Sequence, residues 1–161
     1  MHQQETVLGV WETKLINNKK IITMANFSNY LETKIVQWLD GTQLPAPTGS
    51  LWVALYSSPG VVQDNAATNL IGLTTPRVEV SSWTVTTATG STDGSDASIT
   101  NAAEIVMTSN SNVAATASHF AVYDAVSSGN LLFHGALSSS VSIAIGDTVK
   151  FAANAITLTV Q

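Results

Sequence analysis

Apolar and polar positions change rhythm near residue 41, and the change divides the chain. Before it, Leu31, Ile35, Trp38 and Leu39 fall at i, i+4, i+7 and i+8. That spacing makes one stripe of an α-helix over residues 28–40. Asn29 followed by Glu32 resembles a capping box, with Ser28 as the competing cap. Gly41 suits the position just past a helix end, and Pro45 and Pro47 forbid further helix. The stripe predicts that Trp38 packs on the body of the protein.

From residue 50 the period falls to two. Leu51, Val53 and Leu55 take one side of a strand and Trp52, Ala54 and Tyr56 the other. Both sides are apolar, so this strand is central or covered twice. Residues 77–87, 103–108, 118–124, 130–137, 141–145, 148–152 and 155–160 read as further strands. Gly-, Asp-, Asn- and Ser-rich turns separate several of them, as at Asp93–Asp96, Ser127–Asn130 and Gly146–Asp147. About eight short strands with such punctuation predict a mainly β fold. The expected architecture is an antiparallel β-sandwich, jelly-roll-like, with one short N-terminal α-helix. The stretch 57–76 is expected to be a projecting loop.

Residues 1–23 lack either period, yet Val7, Leu8, Val10 and Trp11 make them too apolar for an ordinary disordered tail. They are expected to form an arm ahead of a domain at 24–161, and either to bind a partner or to fold back on the body. Trp11, Lys14, Lys19 and Lys20 are the candidate partner-binding residues.

Composition sharpens this picture. Only 11% of the 161 residues are charged, against about 25% in an average domain. Ser, Thr, Asn and Ala replace the missing charge. A surface so poor in charge is weakly protected against association. The net charge of −5 lies entirely in residues 41–161, where Arg77 and Lys150 oppose seven acids. Nucleic-acid binding needs clustered Lys and Arg, and Lys14, Lys19 and Lys20 are too few, so no nucleic-acid partner is expected. No apolar run approaches the ~18 residues that cross a bilayer, and no membrane partner is expected.

The search for chemistry gives little. The chain has no cysteine, so thiolate ligands, disulfides and Cys nucleophiles are excluded. His2, His119 and His134 have no metal-ligand spacing. Asp93-Gly-Ser-Asp96 lacks the distal Glu of a calcium loop and reads as a plain turn. No phosphate-binding Gly loop or GxSxG occurs. Neither an enzyme nor a cofactor is expected.

Several longer segments resemble a family of small tailed-bacteriophage virion proteins. They are Met24-Ala-Asn-Phe-Ser-Asn-Tyr-Leu-Glu-Thr-Lys-Ile, Leu51-Trp-Val-Ala-Leu-Tyr-Ser-Ser, Ile99-Thr-Asn-Ala-Ala-Glu-Ile-Val and Ser118-His-Phe-Ala-Val-Tyr-Asp-Ala. Gly129-Asn-Leu-Leu-Phe-His-Gly-Ala-Leu and Gly146-Asp-Thr-Val-Lys-Phe-Ala-Ala-Asn-Ala-Ile-Thr-Leu-Thr-Val complete the set. Thr75-Pro76-Arg77-Val78 stands where the family pattern has a Tyr-Ala-Arg-like strand, a local departure. The resemblance covers residues 24–160 and implies a virion structural protein. It leaves residues 1–23 as an added arm or the product of an upstream start codon. The expected role is capsid decoration or cement, clamping major capsid protein subunits. The alternative is a tail-fibre or baseplate component that contacts the host surface. A homo-oligomer, with a trimer favoured, is expected in either role.

Overall fold

The computed structural model describes residues 13–16, 26–47, 49–57, 71–87, 96–108 and 114–160. In chain order the elements are β1 (Thr13–Ile16), β2 (Asn26–Phe27), α1 (Asn29–Leu39), β3 (Leu51–Tyr56), β4 (Val78–Val80) and β5 (Trp83–Thr86). They continue with β6 (Ala97–Asn101), β7 (Ile105–Thr108), β8 (Ala115–Tyr123), β9 (Leu131–Ile143), β10 (Thr148–Phe151) and β11 (Thr157–Val160). The fold is mainly β, as the two-residue period predicts. A five-stranded sheet runs β2-β9-β8-β3-β4, and two three-stranded sheets run β1-β10-β7 and β11-β6-β5. All pairings are antiparallel except β1 with β10.

One face of the five-stranded sheet meets both smaller sheets. Val53, Leu55, Phe120, Val122 and Phe133 share a buried cluster with Ile105, Met107, Val149, Phe151 and Leu158. Two edge-to-face ring pairs cross the layers. Phe120 meets Phe151 at 6.4 Å between centroids, and Phe133 meets Trp83 at 6.4 Å. Such pairs add roughly 0.5–1.5 kcal/mol beyond the area they bury.

The strand boundaries depart from the sequence reading for physical reasons. Residues 77–87 are not one strand: Ser81 and Ser82 break it, and β4 and β5 belong to different sheets. Residues 130–137 and 141–145 are one strand, β9, running through Ser138–Ser140. Beside those serines the register with β8 shifts, so the inward set of β8 changes from Ala115 and Ala117 to Phe120 and Val122. A bulge of this kind is invisible to a strict alternation rule. The stretch 57–76 is not wholly a projecting loop. Residues 58–70 lie outside the described residues, but Ile71 and Leu73 are buried in the core.

The small sheet β11-β6-β5 is two-faced. Thr84, Thr100 and Thr157 form one cross-strand row, and Thr86, Ser98 and Thr159 form the next. Side chains alternate along a strand, so the opposite face carries Trp83, Val85, Ile99 and Leu158.

The helix begins where Ser28, not Asn29, caps it. The Leu31 amide donates to Ser28 Oγ at 3.1 Å. Ser28 is fully buried, its hydroxyl donates to the Leu131 carbonyl, and its amide donates to the Leu132 carbonyl at 2.9 Å. One residue thus starts α1 and fastens it to β9. At the other end Gly41, with φ +87°, closes the helix. The Gly41 amide reaches the Trp38 carbonyl and the Thr42 amide the Gln37 carbonyl, the double bond of a Schellman ending.

Candidate interaction surface

The second face of the five-stranded sheet carries most of the polar side chains that could do chemistry. Tyr56 and Tyr123 are buried there and share a hydroxyl hydrogen bond. Burial, and then the bond to Tyr123, pushes the Tyr56 phenol well above its ordinary value. The hydroxyl bond joins β3 to β8 across the sheet. The Arg77 guanidinium lies 3.4 Å over the Tyr123 ring. The same guanidinium donates to the carbonyls of Ala125 at 2.9 Å and Ser128 at 2.8 Å. Arg77 therefore clamps the loop between β8 and β9 onto the sheet.

That loop is closed from within by Asp124. Its carboxylate accepts from the Asn130 amide at 2.6 Å and from Asn130 Nδ2 at 2.8 Å. Gly129 sits inside the closure with φ +62°.

His119 and His134 stand on the same sheet face in neighbouring strands. Burial holds the His119 imidazole below its ordinary value. Burial, followed by the nearby His119, does the same to His134 against the opposing pull of Glu32. Both rings are thus biased to the neutral form. The Ser118 hydroxyl donates to the Ser57 carbonyl at 2.9 Å and lies 2.8 Å from His119 Nδ1. Its proton is engaged by a carbonyl, which does not make an activated nucleophile. Among the described residues no three His, Asp or Glu side chains are grouped to hold a metal ion. Asp96 is described, and Asp93 lies outside the described residues.

Of the candidate partner-binding residues, Lys14 lies in β1, and Trp11, Lys19 and Lys20 fall outside the described residues. Thr13–Ile16 pairs in parallel with Thr148–Phe151. This part of the arm therefore lies along its own body, one of the two alternatives the sequence left open.

Part of the exposed apolar surface lies on α1. The expectation that Trp38 packs on the body is not met. Trp38 is 58% exposed, Leu39 74% and Val36 66%. Among the described residues the helix packs chiefly against β2 and β9, at the sheet's edge. Leu31 and Ile35 are half-buried, while the last turn reaches solvent. A signal was present in Val36, which sits well off the predicted stripe and gives the helix a second apolar side. Trp38→Ala should consequently cost less than ~1 kcal/mol of folding stability, as for most surface changes. Chemical denaturation checks this; a loss of ~3 kcal/mol or more would mean that Trp38 is a core residue.

The folded body therefore presents satisfied polar clamps and exposed apolar side chains. The podophage GP4 fiber I protein gp80 family matches residues 26–159. The chain belongs to this family. It is thus a member of a fibre-like family of phage virion structural proteins. No curated protein matches it. The fiber I match runs from β2 through all but the last residue of β11. It takes in both three-stranded layers apart from β1, and the Asp124–Arg77 clamp. Arg77, in the segment that departs from the expected pattern, makes its clamping contacts with Thr75 and Pro76 preceding it.

Proposed function

We propose that this protein is a non-catalytic structural subunit of a podophage fibre, joined to its neighbours through protein–protein contacts. The family match over residues 26–159 carries this reading. The low charge and the exposed large apolar side chains Val36, Trp38 and Leu39 of α1 support it, since exposed apolar surface favours association. Its partners are then other virion proteins. Neither nucleic acid nor membrane is among them, and no cofactor is required.

Capsid decoration, with the chain clamping major capsid protein subunits, draws on the same low-charge β body. The family name favours the fibre. Quantitative gel or mass-spectrometric stoichiometry against the major capsid protein in purified particles separates the two. A fibre subunit is expected at a few tens of copies or fewer per particle, far below the capsid protein. Copy numbers that rise in proportion to the capsid lattice would replace the fibre by decoration. Absence from purified particles would overturn both.

A further inference from the structure

Helix α1 carries a row of side chains that the body of the protein leaves in solvent. Glu32, Val36, Leu39 and Asp40 fall at i, i+4, i+7 and i+8 and share one side of the helix. All four are exposed, Val36 at 66% and Leu39 at 74%. Two aliphatic side chains are thus bracketed by a carboxylate at each end. Asp40 stands against a local rule. It caps the C-terminus of α1, where the aligned peptide dipoles present negative charge, and the last turn holds no basic residue to offset it. Among the described residues neither Glu32 nor Asp40 forms an ion pair. Lys34, the one cation of this helix, donates to Gln37 Oε1 at 3.0 Å and lies 5.7 Å from the Tyr30 ring. A local cost with no compensation inside the chain is expected where another molecule supplies it.

We propose that this row docks a basic, aliphatic segment of a different virion protein, one that sets Lys or Arg on either side of its apolar residues. The charge pattern selects that partner. Val36 and Leu39 give the contact its apolar centre, and the carboxylates at its ends choose the sign of the partner's rim. A cation beside Asp40 also meets the negative end of the helix, so one partner charge answers both. A second copy of this chain is the poorer occupant. Its residues 41–161 carry the whole net charge of −5. Arg77 there is committed to the Ala125 and Ser128 carbonyls, and Lys150 to Glu104. That body laid on Glu32 and Asp40 would set like charge against like. Nucleic acid fits poorly for the same reason. This inference rests on the reading of the chain as a virion structural subunit and names the chemistry of its neighbour.

Two designed helical peptides of equal length test the surface on the purified full chain. Both carry one leucine face, flanked by lysines in the first and by glutamates in the second. The lysine peptide is expected to shift the backbone amide NMR signals of residues 32–40, with binding that weakens as salt rises. The glutamate peptide should bind about tenfold more weakly or worse, and Glu32→Lys with Asp40→Lys should reverse the order. Val36→Ser with Leu39→Ser should abolish binding of both, while circular dichroism shows the fold kept, since both sites are exposed. Equal affinity for the two peptides, or shifts confined to residues outside 29–41, would overturn the proposal. In purified particles, Leu39 replaced by a photo-reactive phenylalanine analogue should cross-link to a Lys- or Arg-bearing sequence of another virion protein. Cross-links only to copies of this chain, its residues 1–25 included, would overturn the proposal as well. Absence of the chain from particles would count against the structural-subunit reading, whereas lost peptide selectivity in a chain that is present there counts against this inference alone.

Discussion

Asn101→Asp is expected to be the most damaging single-atom-scale change in the protein, at about 3–5 kcal/mol near neutral pH. Asn101 is fully buried at the point where the outer layer breaks into its two sheets. The connections β6–β7 and β10–β11 run side by side there. Asn101 Nδ2 donates to the carbonyls of Ala103 at 2.8 Å and Ala152 at 2.9 Å. Asn101 Oδ1 accepts from the Ile156 amide at 2.8 Å. Its backbone adds the Asn154 amide at 2.8 Å and the Ile156 carbonyl at 3.1 Å. One side chain thus ties both connections, and both sheets take their relative position from it. A carboxylate keeps the bond to Ile156 but turns an oxygen toward two carbonyl oxygens, with no water to screen the repulsion.

The pH dependence separates this cause from simple loss of packing. The buried carboxyl would titrate above its unfolded value of about 3.9. Its charged form is the unfavourable one in the folded state, so the penalty is full above the folded value. It shrinks as pH falls toward the unfolded value, where the acid can donate to one carbonyl. Denaturant midpoints of wild type and variant should therefore converge on acidification. A gap that stays constant from pH 7 to pH 4 would rule out the charge as the cause. A loss below about 1 kcal/mol at pH 7 would show that Asn101 does not tie the connections.

Much of this was legible in the sequence, and the unread parts have definite causes. The segments Ile99-Thr-Asn-Ala-Ala and Phe151-Ala-Ala-Asn-Ala-Ile stand out as family-like without a visible purpose. In the fold they are the two connections that meet at Asn101. Their contacts join residues 51 and 55 positions apart, which no local pattern encodes. The central strand β3 was readable because both its faces are apolar, and both are buried. β6 gives no strand signal because Ala97–Asn101 is mostly Ala, Ser and Thr, with a single large aliphatic residue. Periodicity puts Trp38 on a stripe but does not say how far the neighbouring sheet extends beneath it. Arg77 gave no local signal at all, since its ring and carbonyl partners lie 46 to 51 residues away.

Gly129→Ala should cost about 2–4 kcal/mol, whereas Gly41→Ala should cost only about 1. Both glycines have positive φ, +62° at Gly129 and +87° at Gly41, so each substitution meets the same kind of backbone strain. Their surroundings differ. A Cβ at Gly41 would have nothing within 4 Å, while one at Gly129 would lie 2.6 Å from Asp124 Oδ1 and 2.7 Å from Ala125 Cβ. Relief at Gly129 must therefore move Asp124, whose carboxylate holds the Asn130 amide, or Ala125, whose carbonyl is held by Arg77. Either shift loosens the clamp that seats the guanidinium over Tyr123. The extra ~1–3 kcal/mol at Gly129 should largely vanish when measured in an Arg77→Ala, Asp124→Ala background, because the clamp is then already gone. Thermal melts of the five proteins give the comparison directly. Equal losses for Gly129→Ala and Gly41→Ala would leave backbone strain as the whole effect and remove the clamp from the account. An undiminished Gly129→Ala loss in the clamp-free background would assign it to the turn alone.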